Sequence, residues 1–124
     1  MQPLYQKGGD DTPKISLDKD KGDFSITGKC FPDDPFMVFQ PVFDWFEEYM
    51  TSPNNQTTIE LNFTYINTAS SKQITDLLSI LQEQGKNKNI KIKWFYDKMD
   101  DDMEFEGEML KSTLPNLEFS LIEL

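Results

Sequence analysis

The chain has 124 residues, a formal net charge of −10 and no histidine. At that length one ordinary domain can bury roughly two thirds of the surface its unfolded chain exposes, and 22 acidic against 12 basic side chains repel phosphate backbones and anionic lipid, so neither nucleic acid nor a membrane is expected as a partner. The missing imidazole removes the usual general base near neutral pH and the Ser-His and Cys-His nucleophile pairs, and because every basic residue is Lys the bidentate guanidinium clamp for phosphate is missing too.

Residues 1–11 are rich in Gly and Asp without periodicity and read as a flexible lead-in to a single domain over residues 12–124. They contain no apolar h-region, and the longest apolar run in the chain is Phe36-Met37-Val38-Phe39, so no signal peptide or membrane span is expected. Ile15 and Leu17, then Phe24 and Ile26, alternate around the charged turn Asp18-Lys19-Asp20-Lys21-Gly22 and predict a β-hairpin. The turn superficially resembles an EF-hand loop but fails its glycine and final-ligand spacing. Cys30 is the lone cysteine and cannot close an internal disulfide; with it, the Asn-x-Thr sequons at Asn55 and Asn62 read as chance in a cytoplasmic protein.

After Phe31-Pro32-Asp33-Asp34-Pro35, the spacing of Phe39, Val42, Phe43, Phe46 and Met50 predicts a helix. A proline inside a helix costs about 3 kcal/mol, so the regular helix is expected to begin near Pro41 after a bent turn, with Trp45 and Tyr49 off the main apolar face. Thr58 to Tyr65 alternates as a half-buried strand. Ser70 and Gln73 match the S-x-x-Q capping box, and Ile74, Leu77, Leu78 and Leu81 carry a helix to Gly85. Ile90 to Tyr96 is a further strand, Asp100 to Leu114 a weaker helix, and Leu117, Phe119 and Leu121 a last strand. The fold class is therefore α/β, ββαβαβαβ, a mixed sheet with helices mainly on one face because the strands alternate apolar with polar residues.

Two constellations carry chemistry. Asn67-Thr68-Ala69-Ser70-Ser71-Lys72 sets hydroxyls where a strand hands over to a helix N-terminus, a place that tolerates negative charge; spacing alone does not separate a phosphate acceptor from an N-cap serine with turn hydroxyls beside it. The acidic run Asp97 to Glu108 reads first as a solvated loop and helix start, next as a partner-binding patch, and after these as a divalent-metal site. No catalytic set, cofactor fingerprint or metal-ligand set is assigned, and the chain is not expected to be an enzyme.

Taken together, Thr12-Pro13-Lys14-Ile15, Gly28-Lys29-Cys30-Phe31-Pro32, Pro41 with Trp45, the Tyr65-Ile66-Asn67-Thr68-Ala69-Ser70 corner, Trp94-Phe95-Tyr96-Asp97 and the run Asp100 to Glu108 resemble the SiaC family of bacterial regulatory phosphoproteins over almost the whole chain from Thr12. The resemblance implies a fold similar to STAS domains, the anti-sigma-factor antagonist class. It implies phosphorylation of the corner threonine by a partner kinase and its reversal by a PP2C-type phosphatase. The unphosphorylated form would bind and activate a diguanylate cyclase, raising cyclic-di-GMP and promoting biofilm formation. Carried over to this chain, the acceptor is Thr68, and Asn67, Ala69, Ser70, Ser71 and Lys72 form the switch corner, with Ala69 where the family commonly has Ser. Asp100, Asp101, Asp102 and Glu104 are a candidate acidic partner contact. An anti-sigma-factor antagonist and a divalent-metal-dependent enzyme using Asp97 to Glu108 are the competing readings.

Overall fold

The computed structural model describes residues 1–86 and 88–124. Its elements are β1 (Leu4–Gln6), β2 (Lys14–Asp18), β3 (Asp23–Cys30), α1 (Pro35–Tyr49), β4 (Thr57–Ile66), α2 (Thr68–Gln84), β5 (Ile90–Tyr96), α3 (Asp101–Thr113) and β6 (Glu118–Glu123). The six strands form one sheet in chain order, with β1, β2 and β3 antiparallel and β3 to β6 parallel. Right-handed crossovers between strands that always add on the same side put every helix on the same face. Burial agrees: Ile15, Leu17, Phe24, Ile26, Ile59, Leu61, Phe63, Ile92, Trp94 and Phe119 are buried, while their alternating neighbours, among them Ser16, Glu60, Lys93 and Ser120, form a polar open face. The mixed α/β class and the one-sided helices agree with the sequence reading.

The N-terminal segment does not. Leu4–Gln6 pairs antiparallel with β2, Leu4 opposite Leu17, so the observed order is βββαβαβαβ. Three residues are too short to show a period, and the segment is fastened from outside: the Trp45 indole N–H donates to the Gln2 carbonyl at 2.9 Å.

That indole explains a second correction. α1 runs without a break from Pro35, its first turn started by Pro35 and by Asp34, whose side chain accepts from the Met37 N–H. Pro41 sits inside the helix on its exposed side, and Met37, whose carbonyl loses its N–H partner to the proline, is exposed as well. Trp45 and Tyr49 are buried, stacked on each other at 5.2 Å and packed on Phe24 of the hairpin. The apolar face of α1 is thus wider than the expected stripe, because one side meets the parallel sheet and the other the hairpin and β1. Phe36, at the start of the helix, is left exposed.

Each parallel strand that leads into a helix ends in an Asx cap. Asp34, Asn67 and Asp100 accept from the N–H three residues on, at 3.2, 2.9 and 3.1 Å. The expected cap at Ser70 is therefore moved back to Asn67: Ser70 is the third residue of α2 and supplies the donor, not the acceptor. Asn67→Ala should lower unfolding stability by about 0.5–2 kcal/mol in urea titration, and Asn67→Asp, which keeps the acceptor, by less.

Gly107 in α3 is where the helix meets the sheet most closely. A Cβ there would stand 2.5 Å from Trp94 Cδ1, 2.7 Å from its Nε1 and 2.9 Å from Leu121 Cδ2. The Trp94 ring cannot retreat, since it is buried against Phe63 and its N–H donates to the Met103 carbonyl at 2.9 Å. Gly107→Ala should destabilise the fold by about 1–3 kcal/mol despite its better helix propensity, read as a lower urea midpoint.

Candidate functional site

The corner formed by residues 67–72 lies at the carboxyl end of the parallel strands, where β4 turns into α2. Ile66 is buried, and the Asn67 N–H donates to the Cys30 carbonyl of β3 at 3.0 Å, which fixes the corner to the neighbouring strand. Thr68, Ala69 and Lys72 are exposed, and Lys72 pairs with Asp76 at 3.1 Å.

The three hydroxyls of the corner have different fates. Ser70 is wholly buried, and among the described residues its Oγ has no regular hydrogen-bond partner. It lies beside the buried Cys30 thiol; burial pushes that thiol up from its ordinary pKa, and the Ser70 hydroxyl partly opposes the rise. Ser71 donates to Glu106 of α3, which ties the start of α2 to its neighbouring helix. Thr68 is the hydroxyl left open.

The acidic run is brought to the same end of the sheet. A cavity of about 390 Å3 between the end of β4 and the start of α3 is lined by Tyr65 and Ile66 on one side and by Asp100, Asp102, Phe105 and Glu106 on the other. Asp100 caps α3, Asp97 accepts from the Met99 N–H at 2.8 Å, and Asp101 and Asp102 are exposed in the first turn. Glu104 turns toward β5, accepting from the Tyr96 hydroxyl at 3.3 Å. The Tyr96 phenol is raised above its ordinary pKa by burial first, then by the charges of Glu104, Glu123 and Glu108. Among the described residues no group of three or more Asp, Glu, Cys or His side chains is placed to hold a metal ion.

Electrostatically, the three helix starts are unequal. α1 has an aspartate cap, and α3 has an aspartate cap with Asp101, Asp102 and Glu104 in its first turn. α2 has the neutral Asn67 and no acid in its first turn. α2 is thus the helix that brings no acid of its own to its start, where the carboxylate at hand is Glu106 of α3 on Ser71.

Sequence reasoning missed the apolar surroundings. Phe31 and Tyr65 are exposed and meet edge to face at 5.5 Å, and Phe36, Met37 and Phe105 are exposed at the same end of the sheet. Phe31 and Tyr65 are flagged in the sequence only by falling where strands stop. Glu106 is visible there as one carboxylate of the acidic run, without its bond to Ser71.

Comparisons with known proteins agree with this architecture. Residues 6–124 match the SiaC family of regulatory phosphoproteins. An uncharacterised protein of Pseudomonas aeruginosa strain UCBPP-PA14 is 29% identical over 99 residues, 79% of each chain. The structure of SiaC of Pseudomonas aeruginosa superposes with a TM-score of 0.89 over 100% of both chains at 25% identity. A crystal structure of the diguanylate cyclase SiaD in complex with its activator SiaC, also from Pseudomonas aeruginosa, gives a TM-score of 0.90 at 24% identity, covering 98% of this chain and 99% of that one. Among the described residues no helix is long and apolar enough to cross a membrane. With the family matched from Gln6 to the C-terminal Leu124 and the fold shared along its whole length, the chain belongs to the SiaC family of regulatory phosphoproteins.

Proposed function

We propose that Thr68 is the phosphate acceptor and that the unphosphorylated chain binds and activates a diguanylate cyclase, as SiaC does SiaD in the related complex. The observation that carries the acceptor is the sorting of the corner hydroxyls: Ser70 is buried, Ser71 is held by Glu106, and Thr68 is exposed. A partner kinase adds the phosphate and a PP2C-type phosphatase removes it, in a cytoplasmic setting.

Physical chemistry then favours obstruction over rearrangement. The phosphate adds about −1.5 to −2 charges at the first residue of α2, whose neutral start accepts it without strain on the helix. No arginine exists to fold over it, Lys72 one turn on is paired with Asp76, and the cavity beside the end of β4 is lined by acids. What suffers is an interface. A partner that buries Phe31, Tyr65 and Phe105 must strip water from the same corner, and a dianion there is costly to desolvate. A loss of roughly 3–4 kcal/mol weakens binding several-hundred-fold.

Incubation with the cognate kinase and ATP, followed by mass-spectrometric mapping, should find one phosphate on Thr68; label confined to Ser70 or Ser71 would sink the assignment. Thr68→Glu should keep the native circular dichroism and melting transition while losing cyclase binding about a hundredfold or more in calorimetry, and Thr68→Ala should bind and activate whether or not kinase is present. A Thr68→Glu chain that binds the cyclase as the wild type does would overturn the obstruction mechanism.

A further inference from the structure

On the helix face, α1 and α2 leave a groove of about 490 Å3 between them, which starts at Phe36. Its apolar lining is Phe36, Phe43 and Ile80, of which Phe36 is 61% and Ile80 41% exposed. Asp76 stands on one side, and Asp44 and Glu47 line the continuation of the groove along α1. α1 contains no lysine, and α2 contains one, Lys72, already paired with Asp76. An apolar floor with an acidic rim suits an amphipathic helix that presents apolar anchors at i, i+3 or i+4 and i+7 with lysines or arginines beside them.

The corner itself says which partner needs such a groove. Kinases that read an acceptor from an extended peptide require a segment that can be drawn out, and this one cannot be: Asn67 is bonded to β3, its side chain caps Ser70, Ser70 is buried, and Ser71 is held by Glu106. A kinase for Thr68 must therefore recognise the folded surface. It must also leave the Thr68 hydroxyl uncovered, so that its Oγ1 can attack the γ-phosphorus of ATP. In that step a new O–P bond forms, ADP departs with the bridging oxygen, and the hydroxyl proton passes to a base of the kinase. A groove walled by α1 from Phe36 and by α2 from Gln73, five residues on from Thr68, meets both conditions.

We infer that the α1–α2 groove is the docking groove for a basic amphipathic helix of the kinase that modifies Thr68, an inference that rests on Thr68 being the acceptor. The test is steady-state phosphorylation of the full chain by the cognate kinase. Ile80→Glu and, separately, the double reversal Asp44→Lys with Glu47→Lys at exposed rim positions should each raise KM about tenfold or more while leaving kcat within about twofold, the mark of lost docking with intact chemistry. KM of the wild type should rise with added salt, and Ser120→Glu on the open face of the sheet should change neither constant. The rim reversal keeps the test independent of any folding defect in Ile80→Glu, which circular dichroism would reveal. KM values within about twofold of wild type for the rim reversal and for folded Ile80→Glu would overturn the docking groove and leave Thr68 as acceptor. Label on a residue other than Thr68 in the wild type would overturn the acceptor assignment, and the docking inference with it.

Discussion

The functional end of this molecule is organised by one kind of bond, in which a side-chain oxygen at the end of a parallel strand accepts from the first turn of the next helix. Three helix N-termini would otherwise leave N–H groups without partners beside the sheet, and Asp34, Asn67 and Asp100, evenly spaced along the chain, each satisfy one. Fixing that bond fixes where each helix begins and so which residues fall on its first, open turn. At the middle junction the consequence is that Thr68 comes first and faces outward, while Ser70 is turned into the core against Cys30. Exposure of Thr68 is thus a matter of phase along a helix, set by the neighbouring Asn67.

The same junction is distinguished by charge. Two of the caps are carboxylates and the third is an amide, and α3 adds further acids to its start while α2 adds none. In a chain of net charge −10, α2 is the helix whose own first turn adds no acid, with Glu106 of α3 reaching it through Ser71.

How far the sequence disclosed this depends on whether the signal was periodic or positional. The β4 alternation of Ile59, Leu61 and Phe63 and the α2 stripe of Ile74, Leu77, Leu78 and Leu81 lie on surfaces with one buried side, and a period survives there to be read. Trp45 and Tyr49 escape that reading because α1 covers the hairpin as well as the parallel strands, which widens its buried face beyond one stripe. β1 is invisible to it because pairing with β2 and the Trp45 bond hold the segment, neither of which leaves a pattern in three residues. Two capping residues three apart, Asn67 and Ser70, both fit a helix start, and only the backbone bond from Asn67 to β3 decides between them. At the site, Thr68 and the acidic run are legible as residue types, whereas the Ser71 bond to Glu106 joins positions on separate helices.

Strand order has a consequence for synthesis on the ribosome. Because each strand lies beside the one before it, no strand has to be threaded between two others, and the sheet can grow from its N-terminal edge as the chain emerges. The corner at Thr68 takes shape with β4 and α2, but the hydroxyl of Ser71 is captured only after α3 has been made and has packed. A nascent chain therefore presents two open hydroxyls at this corner where the finished domain presents one. The isolation of Thr68 as the open hydroxyl of the corner is a property of the completed fold.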